Sequence, residues 1–93
     1  MNRQVGINME RYEILEALNT IFNKIVESGN VRLVETSFAD DIGEWDSLNH
    51  IRFIVAIEKH FALRINTGDI VGLKSISSIL NVIEAAMGPT AKK

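Results

Sequence analysis

The spacing of apolar residues constrains the fold of this 93-residue chain more than any other feature of the sequence. From about Met9 to Ser28, apolar side chains recur at steps of three and four residues, which places them in one stripe on a helix. The same spacing returns from Ser47 to about Phe61 and again after Ser75. The pattern predicts three main helices, the first capped by Asn8 and the last by Ser75.

The segments between these helices predict the rest of the architecture. Ser28-Gly29-Asn30 ends the first helix, and residues 30–46 show no sustained period, which predicts a long loop whose apolar residues pack on the core. Residues 66–72 fit a single helical turn, and Gly88-Pro89 ends the last helix. We therefore predict an all-α fold, a small four-helix bundle of three main helices and one short helix.

Composition narrows the function. A net charge of -2 and scattered basic residues give no support to nucleic-acid binding. The apolar runs are too short to span a bilayer, and the first residues lack the order of a signal peptide, so we expect a cytoplasmic protein without a membrane partner. Because the chain has no cysteine, disulfides, a thiolate nucleophile and a cysteine-ligated metal are excluded.

The second predicted helix carries two apolar stripes. On a helical wheel one stripe comprises Leu48, Ile51 and Val55, and the opposite one comprises Phe53, Ile54, Ile57 and Phe61. A helix on the surface of a small bundle needs one stripe to reach the core. The other stripe must be covered by the long loop, by the short helix or by a partner protein.

We favour a partner protein as the cover. The stripe of Leu48, Ile51 and Val55, named here the docking strip, is flanked by the charged residues Arg52, Glu58 and Lys59. An apolar strip with a charged rim is typical of a protein-docking surface.

The start of this helix resembles the attachment site of acyl carrier proteins. Gly43-Glu44-Trp45-Asp46-Ser47-Leu48 follows a long loop and opens an amphipathic helix. In that family an Asp-Ser-Leu motif stands at this place, and its serine is esterified to 4'-phosphopantetheine. The resemblance extends from about Met9 to Met87, and Asp46 to Phe61 matches the second helix of the family without a gap.

The resemblance implies a carrier protein rather than an enzyme, with Ser47 as the attachment site and no catalytic or metal-binding residue. A phosphopantetheinyl transferase would supply the arm from coenzyme A. Acyl-activating, acyltransferase or synthase enzymes of fatty acid, polyketide or related biosynthesis would load and use it. Residues expected to meet these partners are Asp46, Leu48, Ile51, Arg52, Val55, Glu58 and Lys59. Residues 1–93 would form one monomeric acyl-carrier-like domain with an ordered core over about 9–88.

Two further expectations come from the same resemblance. Ile54, Ile57, Ile79 and Ile83 would line any cleft that shelters the acyl chain. Carriers of fatty-acid synthesis usually have several acidic residues along the second helix. Here Asn49, Arg52, Lys59 and His60 occupy such positions, which favours a specialised member over the housekeeping one.

Other interpretations stay open on the residues alone. Ser47 is also a good helix cap, and the docking strip could belong to an interaction module that has no prosthetic group. Ser47 with His50 suggests a hydrolase, but the G-x-S-x-G elbow is absent. The acidic residues of 40–46 lack the spacing of a calcium loop.

Overall fold

The structure is a computed structural model that describes residues 9–87 of the chain. Its helices are α1 (Arg11–Ile25), α2 (Ser47–Phe61), α3 (Thr67–Ile70) and α4 (Ile76–Met87), and a turn of 3₁₀ helix lies at Ala39–Asp41. The predicted all-α fold is confirmed, with three main helices, one short helix and a long loop between α1 and α2. Within residues 9–87 the β pairing is limited to an isolated antiparallel bridge between Phe38 and Ser75.

Helix α1 is shorter than predicted at both ends. Glu10 occupies the cap position, and its N–H donates to the Glu13 carboxylate over 2.7 Å. The predicted cap at Asn8, a residue outside the described part of the chain, is therefore wrong by two positions. The helix ends at Ile25, because the following backbone turns extended, and Gly29 takes its left-handed conformation (φ 67°) only in the later turn.

The core lies between α1, α2 and α4. Its completely buried side chains come from all three helices and the long loop: Leu18, Phe22, Leu33, Phe53, Ile54, Ile57, Ile76, Ile79, Leu80 and Ile83. Arg11 joins the loop to α4 at the edge of this core through Glu35 and Glu84. The hydrogen bond that Arg11 donates to Glu35 and the charge of Glu84 raise the pKa of Arg11.

Two asparagines of α1 hold the long loop against the helix. Asn19 accepts from the N–H of Leu33 (2.7 Å) and donates to its carbonyl (3.0 Å). Asn23, one turn later, makes the same pair of bonds with Val31 at 2.6 and 2.7 Å. Each amide side chain thus hydrogen-bonds as a neighbouring strand would, because it accepts from the N–H and donates to the C=O of one residue. The loop is fixed on the core, as predicted from its apolar residues.

The length and apolar character of the described helices bear on membrane insertion. In the part of the chain that the structure covers, no helix combines the length and the apolar character that crossing a bilayer requires.

Candidate functional site

The start of α2 is capped by Asp46 and not by Ser47. The Asp46 carboxylate accepts from the N–H of Asn49 over 2.9 Å, and its carbonyl accepts the first helical bond, from His50 N–H, over 2.8 Å. Ser47 is the first residue inside the helix. The prediction that Ser47 is the cap residue is therefore wrong by one position, because the Asp46 carboxylate already accepts from the N–H of Asn49.

This shift leaves the Ser47 hydroxyl unused by the fold. The side chain is exposed, and within residues 9–87 its oxygen has no hydrogen-bond partner. The backbone N–H groups of Ser47 and Leu48 are likewise without a partner among the described residues. A free hydroxyl next to free N–H groups at a helix start suits a covalently attached anion.

The loop before Ser47 is held in place from both sides. The Glu44 carboxylate accepts from the hydroxyl and the N–H of Ser28, at 2.6 and 3.1 Å. The Glu44 carbonyl accepts from the Asn49 side chain over 2.9 Å. These bonds fix the backbone on either side of Trp45, so Ser47 is presented by a rigid support rather than by a free loop.

A cavity of about 400 Å³ opens beside Ser47. It lies between the first turn of α2, the 3₁₀ turn and the end of α3, where Ile70 and the following residue Val71 line it. Lys74 and Asp40 bring charge to its lining. The cavity has room for part of a small flexible group attached at Ser47.

The prediction that four isoleucines line an acyl-chain cleft stays a prediction. Ile54, Ile57, Ile79 and Ile83 are completely buried in the helical core, and none of them lines the cavity. Helix periodicity identified them as inward-facing, which they are.

His50 makes two buried hydrogen bonds that the sequence did not reveal. Trp45 Nε1 donates to His50 Nδ1 over 2.9 Å, and His50 Nε2 lies 2.8 Å from the Ile70 carbonyl oxygen. Both rings are buried. Since both ring nitrogens are engaged, His50 is not available as a base for Ser47, which removes the support for a hydrolase.

The docking strip is exposed, as the two-stripe pattern of α2 predicts. Leu48, Ile51 and Val55 are 59%, 50% and 43% exposed, whereas the residues of the opposite stripe are buried, with Phe61 half-buried at its end. Within residues 9–87, neither the long loop nor α3 covers the strip. An unpartnered apolar strip next to Ser47 is available to another protein.

The charged rim of the strip holds two cations and two carboxylates that differ in their partners. Arg52 and Lys59 are exposed, and neither forms an ion pair with any described residue. Glu58 is half-buried, and its carboxylate accepts from the N–H of Ile65 over 2.7 Å. Asp46 is engaged as the cap of α2. Each carboxylate thus accepts from a backbone N–H and keeps its negative charge, whereas the two cations have no ion pair among the described residues.

Neither the acidic segment nor the two histidines forms a metal site. Among residues 9–87 no group of three or more His, Asp or Glu side chains is arranged to hold a metal ion.

Known proteins resemble this chain in both sequence and fold. The family described as "Phosphopantetheine attachment site" matches residues 13–83. An acyl carrier protein of Trieres chinensis is 37% identical over 60 residues, which cover 64% of this chain and 72% of that protein. The solution NMR structure of holo acyl carrier protein from Geobacter metallireducens aligns with a TM-score of 0.71 at 27% identity, covering 84% of this chain and 90% of that one.

Proposed function

The chain belongs to the phosphopantetheine attachment site family, and on this premise we propose that it carries acyl groups on a 4'-phosphopantetheine arm esterified to Ser47. A protein of this family is a carrier rather than a catalytic enzyme, and its prosthetic group is bound covalently. The observation that supports Ser47 is its hydroxyl, which is exposed at the first residue of α2 and is left unbonded because Asp46 caps the helix.

The residues around Ser47 fit such a group. The Ser47 oxygen would form the ester, and the free N–H groups of Ser47 and Leu48 would face the phosphate charge at the positive end of the helix. Lys74 lines the adjoining cavity and has no ion pair within residues 9–87. When bound, the arm supplies a terminal thiol for acyl groups, which this cysteine-free chain lacks.

Attachment requires little chemistry from the chain itself. In transfer from coenzyme A, the Ser47 oxygen bonds to the phosphorus of the phosphopantetheinyl group, and adenosine 3',5'-bisphosphate leaves as the diphosphate bond breaks. The hydroxyl proton needs a base. The histidine nearest in sequence, His50, is engaged at both nitrogens, and we assign the base to the transferase.

Partner enzymes are proposed to dock on the strip that follows Ser47. Leu48, Ile51 and Val55 would enter an apolar surface on the partner. Because Arg52 and Lys59 are exposed and have no ion pair within residues 9–87, acidic residues on the partner opposite these two positions fit better than basic ones. This charge pattern supports a specialised pathway with its own enzymes.

The test is loading by a transferase. The purified chain is incubated with coenzyme A and a broad-specificity phosphopantetheinyl transferase, and intact masses are recorded for wild type and Ser47→Ala. The expected result is the gain of one phosphopantetheinyl group by wild type alone. If several transferases leave the wild-type mass unchanged, the exposed strip favours an interaction module without a prosthetic group instead.

A further inference from the structure

The lining of the cavity beside Ser47 carries more negative than positive charge. Asp40 and Asp46 line it together with Lys74, the one lysine or arginine among the described residues of the lining. Asp40 and Lys74 are both exposed, and neither forms an ion pair within residues 9–87. The ammonium group of Lys74 is therefore available to an anion at this place.

The backbone of Lys74 is fixed beside the cavity. Its carbonyl accepts from the N–H of Ala39, at the start of the 3₁₀ turn, over 2.8 Å. Two residues further on, the N–H of Ile76 donates to the carbonyl of Ser37 over 3.0 Å. These two bonds hold the segment between α3 and α4 against the long loop, so the Lys74 side chain starts from a defined position.

A phosphodiester on Ser47 brings a further negative charge to the same cavity. Because its phosphorus is bonded directly to Ser47 Oγ, this charge lies at the start of α2 whatever course the rest of the arm takes. The carboxylates of Asp40 and Asp46 oppose it. The positive end of α2 favours it only in part, and Lys74 is the one lysine or arginine that the described lining offers as a counter-charge.

We propose that Lys74 is a binding residue for the phosphate of the arm, and that its ammonium group compensates the charge that loading adds beside Asp40 and Asp46. The phosphate, attached on α2 and paired with Lys74, thus connects α2 with the segment between α3 and α4. This inference rests on the proposed function, because it needs the arm on Ser47.

The test compares how loading changes the stability of wild type and of Lys74→Ala. Each protein is loaded to completion with coenzyme A and a phosphopantetheinyl transferase, as intact mass shows. The melting temperatures of its apo and holo forms are then measured at low salt. Because the change on loading is compared, a loss of stability common to both forms cancels. We expect this change to be about 3 °C less favourable in Lys74→Ala, the size typical of one exposed ion pair in a small domain.

Three further variants separate the charge of Lys74 from other effects. Lys74→Arg keeps the cation and should respond to loading as wild type does. Asp40→Asn removes a repulsive charge, so loading should be about 2 °C more favourable than in wild type. Lys24→Ala is the matched control and should not differ from wild type, since Lys24 is an exposed cation on α1 that does not line the cavity. The differences should vanish in about 1 M NaCl.

A measurement on wild type alone covers the case in which Lys74→Ala cannot be loaded. The NMR signals of the Lys74 ε-methylene group should move on loading, whereas those of Lys24 should keep their positions. The movement should shrink as salt is added, because salt screens the ion pair.

The inference is overturned if Lys74→Ala and wild type respond equally to loading, or if Lys24→Ala loses as much as Lys74→Ala. Lys74 ε-methylene signals that stay unmoved on loading also overturn it. A wild-type protein that gains no arm is a different result, visible in the mass, and it overturns the proposed function and this inference together.

Discussion

Helices α2 and α4 begin with the same pattern and use it in opposite ways. Ser47 is followed at the first, fourth and eighth positions by Leu48, Ile51 and Val55. Ser75 is followed at the same positions by Ile76, Ile79 and Ile83. The first three side chains are 43–59% exposed, whereas the other three are completely buried.

The serines differ as well. The Ser75 hydroxyl accepts from the N–H of Ser78 over 3.1 Å and so caps α4, as predicted. The Ser47 hydroxyl has no partner within residues 9–87, since Asp46 takes the capping role one position earlier. Helix α2 packs on the core through the stripe opposite the docking strip. Its serine and first stripe therefore add little to folding and are free for function.

The largest expected effect comes from placing a charge in each stripe. Ile79→Glu buries a carboxylate without a partner and should cost more than about 4 kcal/mol, enough to unfold much of the protein. Ile51→Glu, at the matching position of α2, should change stability by less than about 0.5 kcal/mol. Urea denaturation followed by circular dichroism measures both. Equal losses in the two variants would show that the docking strip is part of the core.

The same Ile51→Glu variant also tests whether the docking strip contacts the transferase. We expect it to lower kcat/KM for modification by the transferase about tenfold, because a charge enters an apolar contact. Tyr12→Glu is the control, since Tyr12 is an exposed apolar residue on α1, outside the strip. Rates are followed by intact mass. An equal loss in the control would contradict a specific docking surface.

Replacing each of the two serines with alanine should lower the stability of the protein by different amounts. Ser75→Ala removes the cap of α4 and should cost about 1 kcal/mol. Ser47→Ala removes no hydrogen bond and should change the free energy of unfolding by less than about 0.5 kcal/mol. Thermal and urea unfolding of the two variants give the answer. A larger loss for Ser47→Ala would mean that its hydroxyl supports the helix after all.

The smallest effect is expected when the charge of a rim cation is reversed. Arg52→Glu should lower kcat/KM about threefold at low salt, with the transferase that modifies wild type fastest, and the effect should vanish at high salt. Lys24→Glu, a reversal of an exposed cation on α1, should leave the rate unchanged. A faster reaction of Arg52→Glu would indicate a basic partner surface.

Sequence periodicity predicted the helices and the face of each residue well, because a stripe on a helix depends on local spacing. The limits of α2 and the exposure of its first stripe follow from that spacing. Helix caps were less predictable. Asp46 and Ser47 are both good cap residues, and the choice between them depends on the backbone of the preceding loop.

The two hydrogen bonds of His50 could not be predicted at all. They need Ile70, twenty residues away, to offer its carbonyl, and they need Trp45 to lie within reach on the loop. The hydrogen bonds of Asn19 and Asn23 are similar, because the helical spacing of α1 does not predict that these side chains bond to Leu33 and Val31. Contacts of this kind arise from the tertiary fold rather than from local sequence.

Localisation of the modification tests the central claim most directly. Wild type loaded from coenzyme A is digested, and tandem mass spectrometry assigns the phosphopantetheinyl group to a residue. We expect one group, on Ser47, and an unmodified Ser75 despite the matching pattern around it. A group found on Ser75 or on any other residue, or none in protein exposed to an active transferase, would contradict it.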